Sequence, residues 1–148
     1  MKKLIILGII AAVVWAAVMG GMRIFHSVQK GLAAGDGAVA EFHELLNAGK
    51  DADIYEKGTA ALRNSVTKDD FAKFLGQVRA DYGNFKEGKR HQFNVNSVNG
   101  DTKLTVGFSS SFEKGSVEEQ FLFDYNSDKP LLMRYEIKKS EGSPANAP

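Results

Sequence analysis

The sequence predicts an α+β chain: an N-terminal transmembrane helix, then three helices packed on a curved four-stranded antiparallel meander. Three observations carry that prediction. Leu4 to Met22 holds 19 consecutive residues without a charge or a strongly polar group. Between residues 37 and 82 the apolar residues recur with a period near 3.6, the spacing of one helix face. After Phe85 the period falls to 2, the mark of strands with one buried face. The chain divides accordingly into a membrane segment (1–23), a stalk (24–35), a folded domain (36–139) and a disordered tail (140–148).

The leading segment spans roughly 28 Å as a helix, close to the roughly 30 Å hydrocarbon core of a bilayer. Secretory signals have shorter apolar regions that end at small residues. The candidate cleavage stretch Gly31 to Ala34 lies beyond Arg23, His26 and Lys30, so the segment is read as an uncleaved signal-anchor. Leu32-Ala33-Ala34-Gly35 resembles a lipoprotein processing box, but Asp36 stands where the lipid-bearing Cys belongs. Lys2, Lys3 and the terminal amine oppose Arg23 and Lys30, which leaves the amino terminus in the cytoplasm. The expected location is the inner (cytoplasmic) membrane, single-pass, with the C-terminal domain in a periplasm or outside the cell. Residues 4–22 then contact membrane lipid.

Composition narrows the chemistry. The 148 residues allow one compact domain beyond the anchor. The chain after Arg23 holds sixteen Lys and Arg against 18 Asp and Glu, without the basic face that phosphate contacts need, so no nucleic acid is expected as a partner. There is no Cys, which excludes disulfides, a thiol nucleophile and cysteine metal sites.

Each element follows from local signals. Ile24, Phe25, Val28 and Leu32 continue an apolar stripe into the stalk until Gly35 and Gly37 interrupt it, and Asp36 is placed to cap the next helix. That helix, 37–48, aligns Val39, Phe42, Leu45 and Leu46 and stops at Gly49, suited to a left-handed terminal position. A second helix, 52–63, carries Ile54, Tyr55, Ala61 and Leu62. Thr67 and Asp70 form a capping box for a third, which aligns Phe71, Phe74, Leu75, Val78 and Tyr82 and ends at Gly83.

Four strands follow. Phe93 and Val95 alternate with Gln92, Asn94 and Asn96, and Asn99-Gly100-Asp101 is a strong hairpin signal. Leu104, Val106, Phe108 and Phe112 then share a face. Beyond Lys114-Gly115, Val117, Phe121, Phe123 and Tyr125 do the same. Beyond Asn126 to Pro130, so do Leu131, Met133, Tyr135 and Ile137. The aromatic face needs a cover, which the helices supply.

The segment Ala40-Glu41-Phe42-His43-Glu44-Leu45-Leu46 with Gly49, followed by Tyr55, Leu62, Arg63, Val66, Phe71, Val78, Arg79, Tyr82 and Gly83, leads from helices into the sheet. Over residues 36 to 138 this pattern resembles the cystatin-like or NTF2-like (nuclear transport factor 2-like) α+β domains, and in particular small extracytoplasmic bacterial members. The resemblance implies a cone-shaped fold whose concave sheet and helices enclose a pocket. Such folds host isomerases, dehydratases and binding or scaffolding modules, so the resemblance leaves function open.

No H-E-x-x-H, P-loop, G-x-S-x-G or dinucleotide fingerprint is present. His26 is placed at the membrane exit. His43 and its neighbour Glu44 diverge by about 100° on a helix and make a poor metal pair. His91, after Lys86, Lys89 and Arg90, is read as part of a solvated basic loop. Tyr82, His91, Asp124, Tyr125 and Tyr135 are the titratable candidates, and Asp124 is directed to solvent by alternation. Glu119 is the anomaly, because the alternation that buries Val117 and Phe121 turns it inward. A strand bulge or a position at the mouth of the cone relieves the cost of burying it, and a functional pocket carboxylate is the alternative. The pocket candidates are Phe108, Glu119, Phe121, Phe123 and Tyr135, with no catalytic residue, metal or cofactor assigned. The reading is a non-catalytic, membrane-anchored binding or scaffold domain with a protein partner at the membrane surface or an apolar small ligand. The alternatives are a small lyase or isomerase using the concave pocket, and a structural subunit of an envelope assembly. A pocket lined only by Phe, Leu and Val favours binding, whereas Glu119 hydrogen-bonded to Tyr135 in a closed cavity favours catalysis.

Overall fold

The computed structural model describes residues 29–141. The anchor proposed for 4–22, the first part of the stalk and all but the start of the tail lie outside the described residues. Among those described, no helix is long and apolar enough to cross a membrane. Four helices precede a four-stranded sheet, so the class is α+β. Helix α1 covers residues 29–47, α2 Asp51–Lys57, α3 Ala60–Ser65 and α4 Lys68–Tyr82. Strands β1 (Phe85–Val98), β2 (Asp101–Phe112), β3 (Gly115–Asp124) and β4 (Leu131–Lys139) pair antiparallel in the order β1-β2-β3-β4.

The helices differ from expectation at two places. Gly35 and Gly37 do not stop α1, and Asp36 sits within it rather than capping a new helix. A glycine inside a helix is a penalty of only about 1 kcal/mol, which packing outweighs. A side chain at position 35 would come within 3.3 Å of Val106, so the glycine lets the helix approach the sheet. The single helix expected over 52–63 is two, divided at Gly58 and Thr59. Thr59 caps α3 by accepting from the Leu62 amide, while its own amide donates to the Leu132 carbonyl at 2.9 Å. Gly58 has no room for a side chain, with Leu62 Cδ2 at 2.5 Å from a Cβ built there.

Other signals act as expected. Thr67 accepts from the Asp70 amide, although the Asp70 carboxylate takes the Thr67 hydroxyl rather than its amide. The Asn99-Gly100 hairpin places both residues at positive φ, 52° and 82°. Gly49 ends α1 at φ 68°.

The core lies between the helices and one face of the sheet. Val39, Phe42 and Leu46 of α1 and Phe71, Leu75 and Val78 of α4 meet Leu104, Val106, Phe112, Val117, Phe121 and Phe123. Bulges modify the strict alternation. In β4 the extra residue Met133 lets Leu132 and Tyr135 both turn inward, while Leu131 is left exposed. In β1 the extra residues are Lys86 and His91, so His91 lies within a strand rather than a loop. Its ring covers the Gly107 backbone and its Nε2 is 2.9 Å from Glu118.

Candidate functional site

Two features on the helix-covered side of the sheet carry chemistry: a buried trio of polar side chains, and a cleft beside it. Glu119 sits in an unbulged part of β3, opposite Phe108 of β2 and Ile137 of β4. Neither the bulge nor the exposed position expected for it is found. Its side chain is 0% exposed, and its burial is made tolerable by partners. His43 Nε2 lies 3.1 and 2.9 Å from the two carboxylate oxygens, and the Tyr135 hydroxyl donates to Oε1 at 2.6 Å.

The surroundings fix this trio. The His43 ring stacks on Phe85 with centroids 3.6 Å apart and an interplanar angle of 3°. Phe112 and Phe121 meet it edge-on. With Nε2–H donating to Glu119, Nδ1 is the nitrogen left unprotonated in the neutral ring. Burial, reinforced by the neighbouring Glu119 charge, holds the Tyr135 hydroxyl far above its ordinary value of 10.0. Tyr135 therefore remains a donor throughout the physiological range.

The sign of this shift gives a pH dependence. A group whose folded-state value is raised contributes stability that is intact below its unfolded value and declines as pH rises beyond it. The expected outcome is a loss of stability beginning near pH 10 that is smaller in Tyr135→Phe. Urea unfolding of the two proteins between pH 8 and 11 checks it, and parallel pH profiles would contradict it.

The cleft has a volume of about 820 Å³ and separates α1 from β1. Val39, Ala40, His43, Phe85, Gly88 and Phe108 form its inner surface, and Asp36, Glu44, Asn47, Lys86, Glu87, Lys89 and Arg90 its rim. Its two ends are tied. Asp36 of α1 pairs with Arg90 of β1 at 2.5 Å. Eleven residues on, Asn47 donates to the Phe85 carbonyl at 3.0 Å and accepts from the Phe85 amide at 2.8 Å.

The expected pocket residues separate into three places. Phe108 borders the cleft; Glu119 and Tyr135 meet in the buried trio; Phe121 is a core residue, and Phe123, stacked on it at 5.9 Å, borders a separate cavity of only about 50 Å³ with Phe42, Ile54 and Leu132. Tyr135 also borders a second, more apolar cavity of about 400 Å³ with Leu62, Val66, Phe71 and Phe74. His43 belongs to both the trio and the cleft and was not among the candidates. Its partner is 76 residues away, so no local spacing signals the pair. Among the described residues, no group of three or more His, Asp or Glu is placed to hold a metal ion.

No protein-family model matches the chain, and a search of curated proteins finds no similar sequence. The functional reading therefore rests on geometry.

Proposed function

We propose that the protein is a non-catalytic binding domain of the cystatin-like or NTF2-like kind, tethered by residues 4–22 to the outer side of a membrane, with the α1–β1 cleft as its binding site. The cleft carries the reading. It combines an apolar inner surface, a polar rim and a volume within the roughly 300–1,000 Å³ range of ligand sites. The trio beneath it supports binding over catalysis. The Glu119 carboxylate is out of reach with both oxygens engaged, and Tyr135 is held protonated, so neither exchanges a proton with a molecule in the cleft. The trio instead locks α1 onto the sheet. Tethering would raise the effective concentration of the site for partners at the same surface.

Two observations favour a second reading, a small lyase or isomerase. The buried Glu119–Tyr135 hydrogen bond is the contact expected of that alternative. His43 borders the cleft while Glu119 orients it, the relation of a base to its positioning group. A photoreactive benzophenone side chain introduced at position 44 on the rim, in membranes carrying the full chain, separates the outcomes. The binding reading expects an adduct from position 44 and none from position 127 in the β3–β4 turn. No adduct at position 44 overturns it. Turnover of the adducted small molecule that falls at least 100-fold in His43→Gln replaces it with the enzymatic reading.

A further inference from the structure

Resting on the binding reading of the cleft, we infer that its occupant is an extended peptide segment that adds to the free edge of β1. In the sheet order β1-β2-β3-β4, β1 has one edge without a strand partner among the described residues. The cleft is lined by all six consecutive residues from Phe85 to Arg90. A cavity beneath one face would meet alternate residues only; this one runs along the outer edge. A strand edge presents backbone donors and acceptors that recognise another extended backbone.

One such contact already exists within the protein. The Asn47 side-chain amide both donates to and accepts from the Phe85 backbone, the two hydrogen bonds that one residue of an added antiparallel strand would make. Among the described residues, no strand pairs with the edge beyond it. Bulges at Lys86 and His91 bound a regular stretch, Glu87 to Arg90.

The dimensions suit a single chain. Between the ties at Asp36 and Asn47, eleven helical residues advance about 16 Å. Between Arg90 and Phe85, five strand residues advance a similar distance at about 3.3 Å each. That length holds about five extended residues. Ala40 on the helix side and Gly88 on the strand side are small, which sets the width. A slot bordered by a helix admits one extended chain but not the edge of a second folded sheet, so a second copy of this domain is a poor fit.

Charge refines the partner. The α1 side contributes Asp36 and Glu44; the β1 side contributes Lys86, Lys89 and Arg90 with Glu87. Three acids and three bases produce no single-sign field to select a simple ion. A neutral backbone with apolar side chains turned toward Val39, Phe85 and Phe108, alternating with charged or polar ones at the rim, matches both surfaces.

The test uses the full chain in phosphatidylcholine nanodiscs and an array of acetylated, amidated pentapeptides. Val, Ile, Phe or Tyr occupies the second and fourth positions, and Lys, Glu or Thr the others. The expected result is a binder that slows amide exchange within Glu87–Arg90 at least tenfold and weakens at least tenfold when its backbone is N-methylated. It is also expected to be lost in Ala40→Trp, which fills the cleft from a position of α1 that is exposed within it. Binding that survives N-methylation, or protection confined to Leu131–Lys139, overturns the inference. An array without binders, alongside a small-molecule or lipid adduct at position 44, overturns it while leaving the cleft as a binding site. An array without binders and no adduct removes both.

Discussion

Glu119→Ala is expected to destabilise the protein by about 3–5 kcal/mol, the effect of removing one partner from a buried polar cluster. The loss is larger than the removed atoms alone imply, because the change orphans two other groups. His43 Nε2 and the Tyr135 hydroxyl would remain among Phe42, Phe112 and Phe121 without the carboxylate they bond. Glu119→Gln keeps an acceptor of similar shape and should lose about half as much or less. Replacing all three together, as His43→Leu, Glu119→Leu and Tyr135→Phe, removes every unsatisfied group and should recover most of the stability. Denaturant unfolding of the four proteins checks the series. If the triple variant is as unstable as Glu119→Ala, the carboxylate acts through its volume and the trio is not the lock described above.

Phe121→Ala carries the second large effect, also about 3–5 kcal/mol. The ring is 0% exposed and lies 5.1 Å from Phe42 and 5.0 Å from Tyr135, with Phe123 stacked on it, so truncation leaves a cavity at the centre of the core. Phe108→Ala is the informative comparison. Its half-buried ring borders the cleft, and its removal should cost only about 1 kcal/mol while lowering adduct formation from position 44. Thermal unfolding followed by circular dichroism separates the two. Equal losses of stability would mean that Phe108 belongs to the core and that the cleft has a different boundary.

The contrast between these phenylalanines shows what was legible in the sequence. Alternation identifies the inward face of β2 and β3, and Leu104, Val106, Phe112, Val117, Phe121 and Phe123 all lie there. It does not distinguish the middle of that face from the part beside the cleft, because both are written with the same residues. Register in β4 was lost at one residue. The bulge at Met133 reverses the faces of Leu131 and Leu132, and a single inserted residue leaves no compositional trace. Along α1, the glycines that suggested a break are tolerated because the helix packs closely on Val106.

The candidate site was half legible. Glu119 stands out because an inward charge contradicts its neighbours, and Tyr135 on the same aromatic face is legible as its partner; the bulge or mouth position expected for it leaves out the second partner, His43. The pairing with His43 depends on how α1 crosses β3 and is long-range by nature, so nothing around His43 in the sequence signals it. The cleft depends on the ties at Asp36 and Asn47 and on bulges at Lys86 and His91, all tertiary features.

Because the chain has no cysteine, single cysteines report without interference. The most direct test of a tethered domain with an outward-facing open cleft is labelling of Ala40→Cys by a membrane-impermeant maleimide in intact spheroplasts, with Ser127→Cys as the companion position. The account predicts that both positions react before lysis and that position 40 loses reactivity when the cleft is filled by the best-binding pentapeptide. Reaction of both positions only after lysis would put the domain on the cytosolic side. Reaction at 127 without reaction at 40 would show that the cleft is closed to solvent and is not the binding site.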